Sequence, residues 1–127
     1  MALQKFSKWT RAGVRGSALL NVMIDAAGKA GRNLVRHFHD IDGLQVSTKG
    51  PMDFAAEADR RAEHILFESL SKARPNYGFL MEDRGVISGA DISNRWLSDP
   101  LDGTLNFLHG LPHFAVSIAH ERDGDLF

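Results

Sequence analysis

The segment WLSDPLDGTLNFLHG (96–110) places the carboxylates of Asp99 and Asp102 on either side of a predicted turn. Pro100 disfavours helical backbone at Asp99, and Gly103 supplies the conformational freedom that the turn requires. Two carboxylates in one small volume raise each other's pKa, and a divalent cation between them removes that repulsion. Because residues 99–107 offer oxygen ligands and contain no Cys or His, the pattern favours Mg2+ or Mn2+ over Zn2+.

The residues GTLNF (103–107) are suited to opening a short helix directly after this turn. A helix N-terminus presents free backbone N–H groups and a partial positive charge, which together suit a phosphate group. The backbone carbonyl of Leu101 can complete the shell of a neighbouring metal, and a metal beside a phosphate site is typical of metal-assisted phosphate hydrolases. On spacing alone, an alternative without metal is equally supported: Asp99 starts an Asx turn and Thr104 caps the helix.

Two amphipathic helices are predicted upstream of this segment. Apolar residues recur at three- and four-residue steps over 17–39 and again over 54–73. In the second helix the apolar residues share one face, and charges cover the other. The apolar face consists of Ala55, Ala58, Ala62, Ile65, Leu66 and Leu70. Residues 40–53, between the helices, are predicted to form a loop around a short strand.

Three strands are predicted downstream of the helices, namely YGFLM (77–81), RWLS (95–98) and HFAVSIAHE (113–121). A polar turn, EDRG, follows the first strand, residues 88–94 form a surface loop, and Asp99-Pro100 ends the second strand. Asp123-Gly124 is typical of a tight hairpin, yet only Leu126 and Phe127 remain for its partner strand. This order of elements predicts the first half of a larger layered α/β domain, cut in mid-domain.

The composition is that of a globular protein with room for one domain: 127 residues, 43% hydrophobic and 24% charged. The absence of cysteine excludes disulfides, thiolate zinc sites and cysteine nucleophiles. A net charge of -1 gives no general attraction to nucleic acid or anionic lipid, and no segment is long enough to span a bilayer. We therefore expect a cytoplasmic protein with neither nucleic acid nor membrane as its partner.

Residues 1–16 are predicted to form a basic, flexible N-terminal extension. Within the first 24 residues there are four bases and no acid, and the bases are Lys5, Lys8, Arg11 and Arg15. Leu3, Phe6 and Trp9 lie at roughly helical spacing here, so a surface-binding amphipathic helix is the alternative.

The run WLSDPLDGTLNFLHGLPHFAVSIA (96–119) resembles the signature of the inositol monophosphatase family, which are Mg2+-dependent phosphomonoesterases. KGPMDFAAEADRRAE (49–63) is similar to the family segment that carries an aspartate in the second helix. YGFLMED (77–83) is similar to the strand that ends in a paired acid, and ALLNVMIDAAGKAGRNL (18–34) to the first helix. The resemblance covers about residues 17–127. It implies an α/β fold of the layered α/β/α/β/α sugar-phosphatase type, of which this chain holds the N-terminal half.

The resemblance also implies a role for each matching residue. The family's metal ligands correspond to Glu82, Asp99, the carbonyl of Leu101 and Asp102, with Asp99 bridging two ions. Asp102 also faces the substrate, whose phosphate is bound by the N–H groups of Gly103 and Thr104. Thr104 and Asp59 correspond to the pair that orients the attacking water, so the implied catalytic residues are Thr104, Asp59 and Glu82. The implied cofactor is Mg2+, with Mn2+ as a substitute. On pattern alone, Asp59 would be a solvated helix charge and Glu82 part of a polar turn.

The activity that the resemblance implies is Mg2+-dependent hydrolysis of a phosphate monoester such as inositol monophosphate, a small phosphorylated substrate. Family members continue past this point and supply a further metal-binding aspartate, so the implied activity of this chain alone is impaired. Two alternatives remain open. One is a non-catalytic fragment from a degenerate gene, and the other is a phosphatase of the 3'(2'),5'-bisphosphate nucleotidase type. The resemblance is also compatible with a homodimer.

Overall fold

The computed structural model describes residues 17–40 and 50–126. The predicted N-terminal extension, most of the predicted loop and short strand after the first helix, and Phe127 lie outside these residues. The described elements are helices α1 (Ala18–His39) and α2 (Pro51–Ala73), strands β1 (Tyr77–Met81), β2 (Gly85–Ile87) and β3 (Asp91–Asp102), helix α3 (Thr104–Leu108), and strands β4 (Ala115–Arg122) and β5 (Asp125–Leu126). The predicted mixed α/β class is confirmed.

Helix α1 has the signals of a helix at both ends. The side chain of Ser17 caps its start by accepting a hydrogen bond from the Leu20 N–H at 3.1 Å. Basic residues, among them Arg36 and His39, occupy its last turn, where they complement the negative end of the helix dipole. The periodic apolar pattern therefore predicted this helix within one residue of its observed bounds.

Helix α2 begins three residues earlier than the apolar pattern predicted, at Pro51. Proline is favoured at the first helical position because its fixed φ suits the helix and its missing N–H is not needed there. Asp53 adds a favourable negative charge in the first turn. The predicted apolar face is confirmed, since Ala58 and Leu66 are fully buried. Its small alanines let α1 and α2 pack closely.

The five strands form one mixed sheet in the order β2-β1-β3-β4-β5. Strands β1 and β3 pair in parallel, and the other neighbours are antiparallel. The parallel pair matters for the site because it brings the carboxyl end of β1 beside the later part of β3, with Met81 opposite Ser98. The predicted hairpin at Asp123-Gly124 is confirmed, and both residues have positive φ, at 52° and 90°.

Strand β3 is much longer than predicted. The sequence predicted a loop over 88–94 and a strand ending at Asp99-Pro100, whereas β3 runs continuously from Asp91 to Asp102. Its pairing with β4 shifts between Asp99 and Asp102, so an irregularity in the ladder accommodates the missing N–H of Pro100. At the other end, the Asp91 N–H donates to the Asn76 carbonyl at 2.8 Å and secures the start of the strand.

Two further strand bounds differ from prediction. Residues 85–87, partly predicted as a polar turn, form β2, which pairs with β1. Strand β4 begins at Ala115 and not at His113, because residues 113 and 114 still belong to the connection between α3 and β4. There the Asn106 side-chain amide donates to the His113 carbonyl at 2.9 Å. These short corrections leave the order of the predicted elements unchanged.

One face of the sheet packs against the helices and forms the core. The rings of Phe67 on α2 and Phe79 on β1 lie 4.9 Å apart, and Phe38 on α1 lies 5.2 Å from Phe114. Trp96 is fully buried in this layer.

Among the described residues, neither α1 nor α2 has an apolar stretch sufficient to cross a bilayer.

Candidate metal and phosphate site

The parallel register of β1 and β3 brings together two acids that are distant in sequence. Because Met81 lies opposite Ser98, the next residues along each strand, Glu82 and Asp99, are neighbours. Loss of solvent, the close approach of the Asp99 carboxyl group and the negative charges of nearby acids raise the pKa of Glu82 to about 7.

Helix α2 contributes a third acid, Asp59, to the same place. Burial, together with the negative charges of Asp83, Glu63 and Asp99, raises the pKa of Asp59 to about 6. Its Oδ1 atom is buried and has no hydrogen-bond partner among residues 17–40 and 50–126. Buried carboxylate oxygens normally find a donor, so an unpaired one with other acids near by is available to a ligand such as a cation.

The turn between β3 and α3 is built by hydrogen bonds of its own residues. The Leu101 N–H donates to Asp99 Oδ1 at 3.3 Å, which is the predicted Asx turn. The Thr104 hydroxyl donates to the Leu101 carbonyl at the same distance, 3.3 Å. The Asx-turn part of the metal-free alternative is therefore observed, but its other part is wrong, because Gly103 and not Thr104 is the N-cap of the following helix and no side chain caps it.

The turn requires glycine at position 103. Its φ is 91°, in the left-handed region, and a Cβ there would lie 2.8 Å from the His113 carbonyl oxygen. The predicted short helix follows at once, as α3 (Thr104–Leu108). The backbone N–H groups of Gly103 and Thr104 thus lie at the start of a helix beside the acids.

The structure brings some of the predicted site residues together more closely than others. Besides burial, the negative charges of Asp59 and Asp99 raise the pKa of Glu82, and the charge of Asp99 also raises the pKa of Asp59. Asp102 closes β3 and is exposed, and its carboxylate makes no hydrogen bond or ion pair within the described part of the chain. Over the same residues, no group of three or more His, Cys, Asp or Glu side chains is placed so that it could hold a metal ion.

These residues nevertheless fit a hard divalent cation. The donors are carboxylate and carbonyl oxygens, as Mg2+ and Mn2+ prefer. The buried, unpaired Oδ1 of Asp59 and the raised pKa values of Asp59 and Glu82 show that negative charge here is under-compensated. Space for a ligand lies alongside, since a groove of about 520 Å³ on the open face of the sheet is lined by Glu82, Asp99, Leu97 and Ser117, among others.

Sequence reasoning missed one acid near the site. Glu63 was grouped with the charged, solvent-facing side of α2, yet it is only 2% exposed. It accepts hydrogen bonds from the backbone N–H groups of Asp83 and Arg84 at 3.0 and 3.1 Å. The one available signal was its spacing, because it lies four residues after Asp59 and thus on the same face of the helix.

Comparisons with known proteins place the chain among relatives of one family. The sequence profile of the inositol monophosphatase family matches residues 16–125. The chain is 64% identical to an inositol-1-monophosphatase of Mesorhizobium japonicum over 110 residues, which are 87% of this chain and 41% of the relative. It is 58% identical to an inositol-1-monophosphatase of Rhizobium meliloti, with the same coverage of 87% and 41%.

A solved structure is also similar to this chain in fold and sequence. The crystal structure of the extragenic suppressor protein suhB from Bartonella henselae matches with a TM-score of 0.76 and 52% identity. The match covers 87% of this chain and 41% of that chain. This chain therefore spans about two fifths of the length of the relatives it matches. With the family profile covering most of its residues, the chain belongs to the inositol monophosphatase family.

Proposed function

We propose that the site takes part in Mg2+-dependent hydrolysis of a phosphate monoester, with inositol monophosphate as the substrate class. The observation that carries this proposal is the strand register that makes Glu82 and Asp99 neighbours, together with the buried Oδ1 of nearby Asp59, which is unpaired within the described residues. The names of the relatives support the same chemistry, since two of them are called inositol-1-monophosphatase.

In this proposal Glu82, Asp99, Asp102 and the Leu101 carbonyl hold the metal. When bound, Mg2+ supplies positive charge that polarises a phosphoryl oxygen and favours attack by water. Asp99 is the central ligand because it neighbours Glu82 across the sheet and precedes Leu101 in the turn. Asp102, exposed at the end of β3, also faces the substrate.

The turn after β3 is proposed to seat the phosphate. The N–H groups of Gly103 and Thr104 lie at the start of α3, where they are free of helical partners. Thr104 and Asp59 are proposed to orient the attacking water. A pKa of about 6 suits Asp59 to accept a proton near neutral pH, and its unpaired Oδ1 leaves an acceptor atom for that role.

Residues 17–127 are proposed to form the N-terminal portion of the family domain. This chain matches 41% of its curated relatives' length, so we propose that its activity alone is weaker than that of a full-length relative. The cytoplasmic location and the homodimer stay predictions.

Phosphate release from inositol 1-phosphate, with and without Mg2+, tests the proposal. We expect release to depend on Mg2+ and to fall by about a hundredfold or more in Asp99→Asn, since a metal ligand is lost. Asp125→Asn, an exposed acid on β5, is the matched control and should release phosphate at the wild-type rate. Release that is independent of Mg2+, or unaffected by Asp99→Asn, would contradict the proposal. Preferential hydrolysis of a nucleotide 3'-phosphate would instead favour the nucleotidase alternative.

A further inference from the structure

We propose that Glu63 is a positioning residue that fixes the turn carrying Glu82 against α2 and so sets its place relative to Asp59. The inference rests on the proposed function, because it gives Glu63 a part in shaping the metal site. Glu63 is not a ligand in this proposal. It acts through the backbone of the two residues that follow Glu82.

Both carboxylate oxygens of Glu63 are engaged by that turn. Its Oε2 accepts the Asp83 N–H at 3.0 Å, and its Oε1 accepts the Arg84 N–H at 3.1 Å. The side chain is 2% exposed, so these bonds do not compete with water. Hydrogen bonds to a charged acceptor in such a place are stronger than neutral ones, and they hold the backbone at fixed points.

The side chain of Arg84 ties the same turn to α2 from the outside. Its Nε lies 3.7 Å from Glu63 Oε1 and compensates the buried charge. Its Nη2 lies 3.0 Å from His64 Nδ1, and its guanidinium carbon lies 4.4 Å from the centre of the Phe67 ring. Glu63, His64 and Phe67 together therefore fix the turn to one stretch of α2.

That stretch of α2 also carries Asp59. Residues four apart lie on one face of a helix in successive turns, so Asp59 and Glu63 are fixed relative to each other by the helix itself. Glu63 holds the turn that begins with Glu82, and Asp59 interacts electrostatically with Glu82 and Asp99. The helix thus links a ligand-bearing turn to a second acid of the same site.

The precision of a metal site makes such a link consequential. Ligands must be held to within roughly 0.5 Å of their productive positions, and loss of an outer hydrogen-bond partner typically weakens metal binding by about 10- to 100-fold. If Glu63 only maintained the fold, its replacement would lower stability and leave the metal affinity of the folded molecules unchanged. Metal affinity therefore separates the two roles.

The test is a Mn2+ titration of the full 127-residue chain, in which free Mn2+ is followed by electron paramagnetic resonance. Glu63→Gln is nearly isosteric, but its amide N–H2 faces a backbone N–H that needs an acceptor. We expect it to weaken Mn2+ binding by about tenfold or more. Glu68→Gln, an exposed acid on the same helix, is the matched control and should bind as the wild type does. Melts without metal give the folded fraction used to correct each constant.

Glu63→Asp keeps the experiment decisive if Glu63→Gln does not fold. It retains the negative charge, but its shorter side chain cannot reach both N–H groups, so a loss of affinity reports position and not attraction. Wild-type Mn2+ affinity in the folded fraction of either variant overturns the inference while leaving the proposed function intact. A wild-type chain that binds no Mn2+ overturns the proposed function, and the inference with it.

Discussion

Asp59 and Glu63 lie one turn apart on the same face of α2, yet their surroundings are opposite. Glu63 is buried with both oxygens hydrogen-bonded and a guanidinium group near by. Asp59 has a buried oxygen without a partner within the described residues, and burial together with neighbouring acids raises its pKa. The difference indicates two kinds of role: a carboxylate with both oxygens hydrogen-bonded holds structure, whereas one with an unpaired oxygen among other acids remains available to a ligand.

The largest expected effect comes from removing the satisfied acid. Glu63→Ala leaves the buried N–H groups of Asp83 and Arg84 without an acceptor. We expect it to lower the free energy of unfolding by about 3 kcal/mol, as each unsatisfied donor is costly. Urea unfolding measures this loss. Glu68→Ala, which removes only an exposed carboxylate, should change the free energy little. A loss as small as that of the control would remove the contrast between the two acids.

Removing the unsatisfied acid, Asp59, should instead raise the free energy of unfolding. Asp59→Asn eliminates a charge that is repelled by Asp83, Glu63 and Asp99. After allowing for solvent screening, we expect the metal-free chain to gain about 1 kcal/mol at pH 7.5. The matched control, Asp53→Asn, removes a favourable charge from the first turn of the same helix and should lose a few tenths of a kcal/mol. Destabilisation by Asp59→Asn would show that this acid is structural after all.

The smallest expected effect is the pH dependence of the stability that Asp59→Asn gains. The folded-state pKa of Asp59 is raised to about 6 from an ordinary value of 3.8, so the folded chain holds this proton more tightly than the unfolded chain. The free-energy cost of ionising Asp59 in the folded chain is absent below about pH 3.8 and complete above about pH 6. The gain from Asp59→Asn should therefore fall to about half by pH 5 and fade below pH 4.

Comparing variant with wild type at each pH is necessary, because His120 contributes the opposite slope. Burial lowers the pKa of His120, so stability gained from its neutral form increases as pH rises. This contribution is the same in both chains and cancels in the difference. A gain from Asp59→Asn that does not vary between pH 4 and pH 7.5 would contradict the raised pKa.

The sequence predicted the helices and most of the strands because their signals are local. Periodic apolar residues indicate α1 and α2, and Asp123-Gly124 indicates the hairpin. The extent of β3 was not predictable in the same way. Pro100 is a local stop signal, and only the shifted pairing with β4 lets the strand continue past it.

The features of the site likewise divide into those with local sequence signals and those without. The Asx turn at Asp99 and the glycine at position 103 follow from local turn chemistry. The meeting of Glu82 with Asp99 depends on the parallel register of two strands, which no local pattern encodes, and it was expected only from the family resemblance. Glu63 was missed because its partners are backbone N–H groups 20 and 21 residues away.

The central claim is that the acids at the ends of β1 and β3 are held ready for a divalent cation, and thermal melts of the chain with and without Mg2+ test it most directly. At pH 7.5 and constant ionic strength, the account predicts that Mg2+ raises the Tm, by the equivalent of roughly 2.7 kcal/mol at a hundredfold excess over its Kd. The shift should disappear in Asp99→Asn and persist in Asp125→Asn. No shift in the wild type, or an equal shift in Asp99→Asn, would contradict the account.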